Sequence, residues 1–146
     1  MMPSTSPYRN TPSARSARTY ARVGLETEVF SAPPERLISL LFRGARRAVA
    51  QARLHMGEGR VAERGQAISR AIDIVDSGLK AGVDSDRGGE VAQHLIAAYE
   101  LIIHNLLQAN LNNDPTKLDS ADKLLGDLAD AWQTAADPDF NAPATP

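Results

Sequence analysis

A chain of 146 residues, 42% hydrophobic and 23% charged, can bury one core without staples and has no room for a comfortable second domain. It holds no cysteine, hence no disulfide or thiolate chemistry, no run of about 18 apolar residues for membrane insertion, and no apolar signal block at its start, so the expected setting is the cytosol. Net charge is −2 but unevenly placed: residues 1–70 hold 12 Arg against 5 Glu, and residues 71–146 hold 4 bases against 13 acids. The arginines lack interleaved aromatics for bases to stack on, so the asymmetry reads as basic and acidic helices attracting one another, and no nucleic acid partner is expected.

Residues 1–19, rich in Ser, Thr, Pro and Arg with one aromatic, are expected to form a disordered tail. From Tyr20 the composition changes. Tyr20, Val23, Leu25, Val29 and Phe30 make an apolar arm ahead of any helix, able to dock on the protein's own bundle or on a partner. Pro33, Pro34 and Glu35 signal a first helix over about 34–56, with Leu37, Leu41, Ala45, Ala48, Val49 and Ala52 on one face and arginines on the other. Gly57, Glu58 and Gly59 break it.

A second helix is predicted over about 61–81, where Val61, Gly65, Ile68, Ile72, Val75 and Leu79 repeat at four and three like a bundle seam. The third, between Gly88 and Asp114, is the most apolar. Leu95, Tyr99, Ile102 and Leu106 centre an arc spanning roughly half the circumference, wider than the roughly 100° stripe of a surface helix, so it must meet partners on more than one side. Its margin Ile96, Ile103 and Leu107 is expected to serve a binding partner more than the core. A fourth helix over about 117–136 carries Leu118, Ala121, Leu125, Leu128 and Trp132 on one face, and residues 137–146, with three prolines, are expected to fray. The whole reads as an all-α, antiparallel up-down four-helix bundle over residues 20–136.

Chemistry is hard to find in it. His55, His94 and His104 form no HExxH pair, and Glu100 with His104 supplies two ligands where a metal site needs three or four. No base lies between Glu90 and Thr116 to support phosphotransfer at His104, and Gly88–Gly89 lacks the Lys of a phosphate loop. No catalytic residue, metal or cofactor is therefore expected. The surplus is apolar surface, the inventory of a protein that binds proteins.

Three segments, over about residues 17–135, together resemble the FliS family of flagellin export chaperones. GGEVAQHLIAAYELIIHNLLQANLNND is similar to that family's Gly-Gly-Glu helix with a central Tyr and an Ala-Asn ending before Asn-Asp; Gly88, Glu90, Tyr99, Asn110 and Asp114 fall in place. SAPPERLISLLFRGA resembles its Ser-Pro-Glu start and Leu-Tyr/Phe-Asp-Gly-Ala motif, and AISRAIDIVDSGLKAGVD is the third piece, with Trp132 closing the last helix. Pro33 departs from the family's Ser or Thr, and Arg43 stands where an acid is usual, inverting the charge of any contact there. The resemblance implies a cytoplasmic chaperone that binds the disordered C-terminal segment of flagellin, prevents its polymerisation and meets a flagellar export gate component, free as a monomer and 1:1 with its client. A self-associating structural bundle or adaptor is the alternative. The residues expected to meet partners are Tyr20, Val29, Ile96, Tyr99, Ile103, Leu107, Asn110 and Trp132.

Overall fold

The computed structural model describes residues 6–8 and 32–141. Its first helix, α1 (Pro34–Gly57), begins with proline at the first helical position, where no backbone donor is needed. Pro33 caps it with its carbonyl alone, accepting from the N–H groups of Arg36 and Leu37 at 3.0 and 3.1 Å. The next helix, α2 (Val61–Asp73), runs without a break into a π-helix, π1 (Ile74–Lys80), where a single α-helix is expected from the periodicity. At its end the N–H of Ala81 donates five residues back to Asp76 at 3.1 Å. Four-residue spacing still buries Ile74, Val75, Gly78 and Leu79, so the hydrophobic pattern is the same for either helix.

Helix α3 (Gly89–Asn112) is entered through a turn that only glycine fits: a Cβ on Gly88 would fall 2.5 Å from the Ala92 Cβ and 2.8 Å from the Asp84 carbonyl. It ends on Asn113 in the left-handed conformation, φ 51°, with the N–H of Asp114 returning to Ala109. Helix α4 (Pro115–Ala136) starts two residues before the expected position. Asp114 is its N-cap, accepting from the Thr116 N–H at 3.0 Å, so Pro115 opens this helix as well as ending the one before.

Helices α1 and α3 each pack against both α2 and α4, the arrangement of an antiparallel up-down four-helix bundle. About 80% of the described residues are helical and none forms a strand, which makes the fold all-α. Leu41, Ile68, Ile74, Tyr99, Ile102, Leu106 and Leu125 are fully buried at its centre. Charge asymmetry also finds its place. Arg46 of α1 pairs with Asp122 of α4 at 3.0 Å, and Arg53 with Asp119; both pairs are exposed and are worth under about 1 kcal/mol each.

The described parts of the two tails, residues 6–8 and 137–141, pack against the bundle. The reason at the C-terminal end is Asp137. Arg36 grips its carboxylate through two bonds of 2.8 and 2.9 Å and the Ser39 hydroxyl adds a third at 2.6 Å. Burial alone would raise this carboxyl, but these donors more than offset it and hold it below the usual range. Phe140 follows, with Arg36 and Arg43 over its ring at 5.1 and 4.9 Å. No described helix is long and apolar enough to cross a membrane.

Candidate functional site

The wide apolar arc of α3 is covered differently on its two sides. Toward α2, Ile96 and Ile103 are half-buried against the core, and only Leu107, 54% exposed, is left over. Long side chains close this seam. Arg64 donates from Nε to the side chain of Asn110 at 3.1 Å and from Nη2 to its carbonyl at 3.2 Å, while Lys80 reaches Glu100 at 3.5 Å. Asn110 therefore ties two helices together, and the expected row of Ile96, Ile103 and Leu107 is largely committed to packing.

Toward α4 the seam stays open. Val91, 61% exposed, and the half-buried Leu95 face Leu128 and Trp132, with the short side chains of Ala131 and Ala135 beside them. Two alanines leave a trough where larger residues would fill it, a groove of about 640 Å³ whose lining is mostly apolar. Phe42 and Tyr99 line its inner end, their rings 6.3 Å apart and tilted. The Trp132 indole is fixed by its N–H, which donates to the Glu35 carbonyl at 3.0 Å.

Tyr8 sits in that inner end. It is only 7% exposed, its ring meets Trp132 edge-on at 5.2 Å, and its hydroxyl is hydrogen-bonded to that of Tyr99. The Asp84 N–H donates to the Pro7 carbonyl at 2.6 Å and Tyr8 forms an antiparallel bridge with Val83, so a short extended piece of chain is stitched to the loop before α3. Burial pushes the Tyr8 phenol above its ordinary range, with the bond to Tyr99 opposing; Tyr99 is raised by burial and by its Tyr8 neighbour. Both stay neutral, and one donates to the other.

Of the eight residues expected to meet partners, Tyr99 and Trp132 meet at this groove, whereas Ile96, Ile103, Leu107 and Asn110 lie on the α2 side. Tyr20 and Val29 fall outside the described residues. Tyr8, Val91, Leu95, Leu128, Ala131 and Ala135 also line the groove and are not among those eight, although Leu95 and Leu128 are named above as apolar-face residues. Leu128, Ala131, Trp132 and Ala135 follow helical spacing, so their shared face is readable, whereas Tyr8 has no signal beyond being the one aromatic of a polar tail. Glu100 and His104 are both exposed, and among the described residues no group of three or more His, Asp or Glu is placed to hold a metal.

The family model for the flagellar protein FliS matches residues 16–139. The chain belongs to the FliS family of flagellar secretion chaperones. It is 45% identical over 120 residues to the flagellar secretion chaperone FliS of Salmonella typhimurium, covering 82% of this chain and 89% of that one. The corresponding protein of Escherichia coli is 36% identical, covering 82% and 88%, and FliSB of Pseudomonas aeruginosa is 39% identical, covering 81% and 93%. This is a family of chaperones, not of enzymes. Tyr99 and Trp132 lie inside the matched region, and Tyr8 lies ahead of it.

Proposed function

We propose that this chain is a cytosolic export chaperone that takes the disordered C-terminal segment of flagellin into the groove between α3 and α4, keeps it from polymerising and assists its delivery to the flagellar export apparatus. The observation that carries this reading is the open apolar groove, with Trp132 fixed in its wall and Val91 exposed at its rim. A segment destined for a helical filament presents apolar stripes, and an unfilled trough between two helices is the shape that takes a third. Coupled folding of such a segment typically buries about 1,000–3,000 Å², so client contacts extend beyond the groove onto neighbouring exposed apolar residues.

Tyr8 occupies part of the same groove and leaves when the client enters. The arm carrying Tyr20 and Val29 is then the segment proposed to engage an export gate component. The free chain is a monomer and the loaded one a 1:1 complex. Titrating the full chain with a peptide of the flagellin C-terminal segment, followed by calorimetry and light scattering, tests this. Saturable 1:1 binding with a negative heat-capacity change is expected; absence of binding, or a free protein that is already an oligomer through α3, supports the self-associating bundle instead.

A further inference from the structure

Tyr99 is the largest fully buried side chain among the described residues, and Phe42, Leu95, Leu128 and Trp132 line the groove end that it shares. In these apolar surroundings its hydroxyl has one polar partner among the described residues, the hydroxyl of Tyr8. The rest of the lining holds no substitute. The Trp132 N–H already donates to the Glu35 carbonyl at 3.0 Å, the Glu35 side chain is exposed to solvent, and Ser6 belongs to the Tyr8 segment itself, where its hydroxyl accepts from the Tyr8 N–H. A lone water replaces Tyr8 poorly, since a buried water needs about two to four polar partners and this end of the groove offers one. Tyr8 meets the demand with a ring set edge-on to Trp132 and a hydroxyl at its tip. Whatever takes its place faces the same demand.

On the reading of this groove as the client's, on which the inference rests, we propose that the Tyr99 hydroxyl determines specificity: it requires the flagellin segment to present, within its apolar stripe, one side chain with an apolar body and a neutral hydrogen-bonding tip, which takes over the bond from Tyr8. An entirely apolar stripe would leave the hydroxyl unpaired under the bound segment, and a buried polar group without a partner weighs more against a complex than a made bond favours it. Charge is rejected by the same surroundings. A carboxylate or ammonium carried inward loses its water and finds one neutral hydroxyl in return, whereas an amide or hydroxyl tip is matched by it. Discrimination of this kind is sharper than apolar fit alone provides, because a site built around a hydrogen bond penalises the analogue that lacks the group.

The probes are a peptide of the flagellin C-terminal segment and a set of its variants, each with one neutral polar residue changed to an apolar near-isostere (Thr to Val, Gln to Met, Asn to Leu, Tyr to Phe, Ser to Ala), titrated into the full chain and into its Tyr99→Phe form. At one position the change should weaken binding roughly tenfold in the native protein and less than about twofold in Tyr99→Phe. Tyr8 competes equally with both members of each peptide pair, so its altered docking in the variant cancels from the ratio. The chemical shift of an isotope-labelled Tyr99 Cζ gives a readout in the native protein: it should keep its hydrogen-bonded value with the parent peptide and move with the one lacking that residue. A parent peptide that binds while every change costs the same in both proteins overturns the inference and leaves the client reading standing; a parent peptide that does not bind overturns both. A tenfold loss that persists in Tyr99→Phe means that the polar residue pairs elsewhere, and an Asp84 amide as protected in the complex as before means that Tyr8 never gives up its place. Either result also overturns the inference.

Discussion

The two sides of α3 present similar hydrophobicity and end differently. Toward α2 and its π1 continuation, the neighbouring helix offers Arg64, which hydrogen-bonds Asn110 across the seam, and Lys80, which reaches Glu100 as an ion pair, and the isoleucines beneath them are drawn into the core. Toward α4, the neighbour offers Ala131 and Ala135, which cannot reach, and the apolar residues of α3 are left lining a trough. An apolar arc wider than one partner needs shows that surplus exists. Which margin holds it depends on the length of the side chains that face it from the next helix.

The comparison breaks most directly through stability. Ile103→Ala on the α2 side should cost about 2 kcal/mol, toward the low end for a partly buried aliphatic, while Val91→Ala on the α4 side should stay within about 0.5 kcal/mol. Urea melts of the two variants decide it, and equal costs would mean that both margins are core. Client binding should show the reverse order. Ala131→Asp places a carboxylate in the groove from an exposed position and should weaken flagellin binding at least tenfold, or about 1.4 kcal/mol, whereas Leu107→Asp should change it less than about threefold. A larger loss at Leu107 would return the client to the α2 margin, where the sequence pattern first places it.

Much of the bundle is legible in the sequence because the signals are local. Glycine at 88 and the Asn113–Asp114–Pro115 run mark the ends of α3 and α4, and three-four spacing marks each buried face. The π-helix is not legible, since four-residue spacing suits either geometry, and neither is the docking of Asp137, whose partners Arg36 and Ser39 lie about a hundred positions away. The candidate site divides along the same line. Tyr99 and Trp132 are carried by motif, but the groove is a property of two helices side by side, and its inner occupant comes from a stretch whose composition argues against any order.

The smallest expected effect bears on that occupant. Tyr8 is held by ring contacts with Trp132, by backbone pairing to Val83 and Asp84, and by one hydroxyl bond to Tyr99, so Tyr8→Phe removes only the last and leaves the buried Tyr99 hydroxyl without it. The cost should be about 1 kcal/mol of docking free energy, roughly a fivefold rise in the exchange rate of the Asp84 amide, which donates to Pro7 only while the segment is seated. Alkaline pH should act on the same bond. Both phenols are raised above their ordinary value of about 10, so their contribution is complete below that pH and is lost as pH rises above it. The emission of the single tryptophan, Trp132, should therefore hold steady to about pH 10 and then change together with Asp84 exchange. If Asp84 exchanges equally fast in the Tyr8→Phe protein, the hydroxyl pair holds nothing. If flagellin binding leaves that amide as protected as before, Tyr8 is a fixed part of the bundle, and the client uses only the outer groove between Val91 and Ala135.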